Sequence, residues 1–269
     1  MKRSLKYSKL SKIAFIFLAV ALIGTAGCAG LSGGEEEEED GQVLFAYVGA
    51  NLKDPVSDLA EAYEDETGIK VELTFQNAGA LLSQIETMKK GDIYIPGGTT
   101  FANKAQEKGH VEKIAGPIAY HTPVIIVPGD NPAGITSVLD LANVGVKLVI
   151  PDQESTTIGK TACKIFDNTG LRKEIEKNII TTLESPAKVL AVIGMGEGNA
   201  GLVEYSNAFN NDEGLKIVEI EPAFNEVDKI PIVSLTYSKN KALAEDFMEY
   251  VQQNGPTVFE TYGFKTTEK

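Results

Sequence analysis

Residues 43–75 read VLFAYVGANLKDPVSDLAEAYEDETGIKVELTF, and this stretch decides the fold class. Residues 43–48 form a continuous apolar run of strand length, the pattern of a strand buried on both faces. Gly49-Ala50-Asn51 makes a turn in which Asn51 is a good helix cap. Pro55 falls in the first turn of the following helix, where its missing N–H breaks no bond. That helix runs through DLAEAYEDE to a stop at Gly68, and residues 71–75 make a second strand. Strand, helix, strand predicts a parallel pair with the helix packed over one face.

Working outward, the same unit repeats. Gln76-Asn77-Ala78-Gly79 is another turn, ALLSQIETMKKG a helix ended by Gly91, residues 92–95 a strand and 100–108 a helix. A second unit follows, with strands at 123–127, 146–150 and 201–204 and helices at 137–142, 157–166, 171–177 and 187–195. The chain crosses back near 230–237, and an amphipathic helix at 241–253 packs on the first unit. The predicted class is α/β, with two lobes that are each a mainly parallel sheet flanked by helices. Lobe I spans 42–120 with 234–269 and lobe II 121–233; two crossings between them make a hinged clamp. Ligands in such sheets sit at the carboxyl ends of the strands.

The amino terminus carries an address. Lys2, Arg3, Lys6, Lys9 and Lys12 precede a 12-residue apolar stretch at 13–24, too short to span a bilayer, so residues 1–27 read as a signal peptide. Ala26-Gly27-Cys28 resembles a lipobox, in which the cysteine is acylated and the chain cut before it, although Thr25 stands where an aliphatic residue is usual. Residues 28–41 contain six consecutive acids flanked by Gly and Ser, which repel one another and form an extended tether. Cleavage removes five of the 25 bases and none of the 38 acids, leaving a net charge of −18 that disfavours nucleic acid as a partner.

Other chemistry is sparse. Cys163 has no partner once Cys28 is lipidated and reads as a small buried hydrophobe. The two histidines leave little for a His-rich metal site: His110 follows a helix-ending glycine and reads as exposed, while His121, in AYHTPVI beside the hinge, reads as a structural hydrogen-bonding group. IGKTA at 158–162 lacks the first glycine of a phosphate loop, and the G-x-G-x-x-G at 196–201 leads from helix to strand, the reverse of the dinucleotide-binding order. With no G-x-S-x-G or H-E-x-x-H, the chain reads as a binding protein rather than an enzyme, without a cofactor.

The opening stretch, NAGALLSQIE at 77–86, PVIIVPGDNPAGITSVLDLA at 123–142 and the closing SKNKALAEDFMEYVQQNGPTVFETYGF at 238–264 resemble the molybdate-binding proteins of ABC importers. The resemblance implies a periplasmic-binding-protein, or Venus-flytrap, fold. It also implies a monomer that closes on molybdate or tungstate and delivers it to permease and ATPase subunits. Helix N-termini suit such a dianion because they offer N–H groups and a positive dipole end. The candidate donors are Ala50 and Asn51; Asn77, Ala78 and Gly79; Thr156, Thr157 and Ile158 after Ser155; and Ala187 after Pro186.

The pattern departs from the family at three places. Asn51 and Ala78 stand where the family places serine hydroxyls, and Glu204, in LVEY, stands where it places a tyrosine. A carboxylate repels an oxyanion unless, as in archaeal relatives that resemble this chain at LVEY, it coordinates the metal centre; the second carboxylate of that arrangement falls here on Thr156. Three readings remain open from sequence: an oxyanion receptor, a receptor of the same fold for another small ligand, and a surface protein that keeps the clamp without transport.

Overall fold

The computed structural model describes residues 43–154, 156–209 and 214–268. The expected signal peptide, Cys28, the acidic tether and Ser155 lie outside the described residues. The first sheet receives β1 (Val43–Gly49), α1 (Lys53–Thr67), β2 (Lys70–Gln76), α2 (Ala78–Met88), β3 (Ile93–Ile95), α3 (Thr99–Glu107) and β4 (Val111–His121) in succession. The chain then enters a second sheet through β5 (Pro123–Pro128), β6 (Leu148–Pro151), α4 (Thr157–Thr169), α5 (Arg172–Lys177), β7 (Ile179–Leu183), α6 (Pro186–Gly194), β8 (Ala200–Glu204), α7 (Tyr205–Ala208) and β9 (Leu215–Glu219). It returns to the first sheet with β10 (Asp228–Leu235) and ends in α8 (Lys241–Thr261). The sheet orders are β2-β1-β3-β10-β4 and β7-β6-β8-β5-β9.

In each sheet four strands run one way and one is reversed. β1 is parallel to β2 and β3, and β10 is antiparallel to both β3 and β4. β6 is parallel to β7 and β8, and β5 is antiparallel to both β8 and β9. The reversed strands are those that arrive from the other sheet.

Burial on both faces explains why β1 reads as an unbroken apolar run. Leu44, Ala46 and Val48 point to one side, where α1 and α8 contribute Leu59, Tyr63, Phe247 and Phe259. Tyr47 points to the other, where α2 and α3 contribute Leu81, Ile85, Ala102 and Ala105. The second sheet is built the same way: Ile125, Leu148, Ile150 and Leu202 pack on Ile158, Ala162 and Phe166 of α4, while Val124, Ile126 and Val203 pack on Val189 and Ile193 of α6.

Several expectations need correction. β4, β7 and β9 were not legible as strands. β4 carries Gly116-Pro117 across a cis peptide and is interrupted by charged residues, while β7 and β9 are edge strands without a fully buried residue, so neither shows the apolar signal of a central strand. The helix expected at 241–253 continues to Thr261 as a single helix, α8, running through Pro256. It lies close against β4: a Cβ on Gly255 would come within 2.6 Å of the Ile118 side chain. The first sheet takes the chain up at Asp228, opposite His121, rather than at 234. Helix α2 ends at Met88, with Lys89 in the left-handed conformation, ahead of Gly91. Cys163 is partly exposed rather than buried. His110 is not a free surface group but is hydrogen-bonded through Nδ1 to the Tyr237 hydroxyl at 2.8 Å.

Candidate functional site

Strand direction decides where the loops of interest face. β4 runs with β1, β2 and β3, so its exit at His121 lies on the side of their carboxyl ends. β5 enters opposite β8 with Pro123 paired to Glu204, and β6 and β7 run with β8. The carboxyl ends of the parallel strands in both sheets therefore face the same crossing, at residues 121–123. Within each sheet the expected loops adjoin: Gly49 pairs with Gln76, which sets Ala50 and Asn51 beside Asn77, Ala78 and Gly79, and Pro151 pairs with Leu183, which sets the α4 and α6 starts side by side.

Three of these helices begin with a built cap. The Asn77 side chain accepts from the Ala80 N–H at 2.9 Å, and the Ala78 carbonyl is held by the Tyr94 hydroxyl at 2.9 Å. The N–H groups of Ala78 and Gly79 are left over among the described residues. Thr156 accepts from the Gly159 N–H at 2.9 Å and donates its hydroxyl to the Asp152 carbonyl at 2.6 Å. Its hydroxyl is thus consumed by the cap, and Thr157 and Ile158 offer backbone N–H groups instead. Gly159 is needed here because a Cβ would lie 2.2 Å from the Asp152 carbonyl oxygen. Ser185 caps α6 by accepting from Lys188 N–H at 3.4 Å, which leaves the Ala187 N–H beside a proline that has none. Sequence reasoning had named Pro186 and Ala187 but passed over Ser185, although S-P before an apolar run is an N-cap signal.

At the crossing, side chains from both sheets meet. His121 Nδ1 donates to Glu204 Oε2 at 2.9 Å, with both side chains largely enclosed at 9% and 14% exposure. On its other edge, His121 Nε2 lies 3.4 Å from the Asn51 side-chain amide nitrogen. Asn51 and Glu204, two of the three departures from the family pattern, thus flank one imidazole. His121 also stacks edge-on to Phe264, with ring centroids 5.6 Å apart. Asp228, opposite His121 in the β4–β10 ladder, accepts from the backbone N–H of Thr99 and from its hydroxyl at 2.7 Å.

Two contributors were missed from sequence. One is His121 as the partner of Glu204. The other is Gly97-Gly98-Thr99, the loop after β3, where a Cβ on Gly97 would approach the Asn51 side-chain oxygen to 3.3 Å and a Cβ on Gly98 would lie 2.5 Å from the Asp228 carboxylate. The glycine pair between a strand and a helix was the available signal.

Burial alone would depress the pKa of His121, but the Glu204 carboxylate, with Asp228 and the Gly97 carbonyl, outweighs it and raises the pKa above the ordinary 6.5. Burial pushes Glu204 up, yet the His121 charge and hydrogen bond outweigh that and hold it below the ordinary 4.5. The pair is therefore an imidazolium–carboxylate ion pair, and Glu204 does not present an uncompensated charge.

A cavity of about 230 Å³ lies beside the crossing, lined by Thr122, Glu219, Asn225, Lys265 and Glu268 among others. Its carboxylates outnumber its single cation, which makes it a poor place for an anion. Among the described residues no group of three or more His, Cys, Asp or Glu is arranged to hold a metal ion, and no helix is long and apolar enough to cross a membrane.

The ion pair generates a pH prediction with a definite sign. His121 contributes stability that is fully present below its unfolded pKa of 6.5 and lost as pH rises through the raised folded value. Glu204 contributes stability that is present above 4.5 and lost as pH falls through the depressed folded value. Between those limits, urea titration of His121→Gln is expected to show a loss of about 3–5 kcal/mol, because a buried carboxylate loses its partner. The alkaline decline in stability should be reduced in that variant, and an unchanged pH profile would contradict the pairing.

Comparison with known proteins identifies the family. Residues 44–265 match the family described as "Bacterial extracellular solute-binding protein". A Haemophilus influenzae protein that carries the name of a binding protein is 29% identical over 222 residues, covering 82% of this chain and 90% of that one. The molybdate-binding protein ModA of Mycobacterium tuberculosis is 25% identical over 209 residues, covering 77% and 78%. Among solved structures, a substrate-binding domain from Clostridium difficile superposes with a TM-score of 0.75 at 23% identity, covering 84% of this chain and 99% of that one. Its α/β fold has two lobes, as expected from sequence. The chain belongs to the bacterial extracellular solute-binding protein family.

Proposed function

We propose that this solute-binding protein is the receptor of an ABC importer for a tetrahedral oxyanion, molybdate or tungstate, held between its two lobes and passed to the permease. The observation that carries this reading is the set of helix starts that face one crossing from both sheets. Their uncommitted N–H groups at Ala78, Gly79, Thr157, Ile158 and Ala187 suit an anion, as does the positive end of each helix dipole. Asn51 adds a side-chain amide from the β1–α1 turn. Neutral donors of this kind bind a dianion without a burden of buried lysine or arginine. The molybdate-binding relative supports the choice of ligand. His121 answers the main objection from sequence, since it neutralises Glu204.

Lobe I at 42–121 with 228–269 and lobe II at 122–227 form the two halves of this clamp, acting as a monomer. Cys28 carries the lipid, and the acidic segment to residue 41 tethers the receptor near its permease and raises the local concentration.

Thermal unfolding with molybdate, tungstate, sulfate, phosphate and amino acids in turn tests the ligand. The expected result is stabilisation by molybdate or tungstate of about 2.7 kcal/mol at a hundred times the dissociation constant. Stabilisation by another member of the panel alone would replace the ligand, and none by either metal oxyanion would end the oxyanion reading. The anchor is tested by Cys28→Ser in the full chain, which is expected to move the protein from the membrane fraction to the soluble fraction. Retention in the membrane fraction would show that Cys28 is not the anchor.

A further inference from the structure

An oxyanion site near a carboxylate needs a reason not to repel its ligand. Glu204 closes β8 at the crossing, and among the described residues its only hydrogen-bond partner is His121. Asp228 differs, because the Thr99 N–H and hydroxyl satisfy it independently of the histidine. Lys265, a basic side chain nearby, turns away: its Nζ sits 3.1 Å from Glu219 and 4.1 Å from the centre of the Tyr205 ring. The groups around His121 are thus Glu204 from the second sheet, Asp228 from β10, the Asn51 amide and the Phe264 ring. His121 alone supplies positive charge against Glu204.

We infer that His121 determines whether this cleft accepts an anion: by pairing with Glu204 across the two sheets it cancels a carboxylate that would otherwise exclude the ligand. The inference rests on the oxyanion reading above. It assigns to His121 a role through Glu204 rather than through contact with the ligand.

The two charges must then be removable together. In His121→Gln, Glu204 stands uncompensated at the crossing, and a unit charge a few ångströms from a dianion in a partly desolvated cleft lowers affinity by at least about tenfold. In His121→Gln/Glu204→Gln the carboxylate is gone as well, leaving two neutral amides that keep the site's hydrogen-bonding capacity. Removing both partners also avoids the stranded buried charge that threatens folding in the single variant.

The experiment is isothermal titration calorimetry with tungstate on the wild-type protein, both single variants and the double variant, each first shown to unfold cooperatively. The expected order is strong binding by the wild type, at least about tenfold weaker binding by His121→Gln, and recovery to within about threefold of wild type in the double variant. Glu204→Gln alone should bind no more weakly than wild type, because the carboxylate is cancelled rather than used. Equal binding by His121→Gln and wild type, or a double variant as weak as His121→Gln, would overturn the inference while the oxyanion reading stands. A strong loss in Glu204→Gln would overturn it in favour of direct coordination by the carboxylate. Should the wild type bind no oxyanion, the reading itself fails, and this inference with it.

Discussion

A single residue, Thr122, separates the last residue of β4 from the first of β5, and the arrangement of the whole molecule follows from that short connection. β4 leaves the first sheet at the end where β1, β2 and β3 have their carboxyl termini. β5 must enter the second sheet reversed, beside the carboxyl terminus of β8. With no slack to reorient the chain, the loops that start helices in both sheets face a common crossing. The return through β10 repeats the logic, since it enters the first sheet reversed and meets His121 at Asp228. The double crossing and the facing loops thus arise from one constraint.

Electrostatics at this crossing are local. The full chain carries a net charge of −13, so long-range attraction cannot gather an anion. What favours one is the partial charge of helix N-termini over a few ångströms, where low dielectric strengthens it. The same enclosure makes the His121–Glu204 pair tight and makes either member costly to leave alone. Caps at Asn77, Thr156 and Ser185 matter for the same reason: each uses one N–H and leaves its neighbours aimed outward at fixed positions.

The fold was legible where burial is two-sided and helices are punctuated by glycine, proline or cap residues. β1 with α1 and Gly68, and α4 with Thr156, read correctly for that reason. Three of the edge strands were not legible, because β7 and β9 have no fully buried residue and β4 is broken by Gly116-Pro117. The helix starts at Asn77 and Thr156 were visible as turns with caps, whereas the cap expected of Asn51 is not formed: α1 starts after Leu52 without a side-chain cap. The role of His121 was not, because a partner 83 residues away along the chain leaves no local mark in the sequence. For Thr156 the residue was legible but its hydroxyl's use was not, since only the structure shows it spent on the Asp152 carbonyl.

The account is tested most directly by a crystal structure grown with tungstate, in which anomalous scattering locates the tungsten. The predicted position lies between the sheets, with the oxyanion in hydrogen-bond reach of backbone N–H groups at Ala78 or Gly79 on one side and Thr157, Ile158 or Ala187 on the other. The His121–Glu204 ion pair should be intact. A tungsten atom bonded directly to the Glu204 carboxylate, or found away from the crossing, would contradict it.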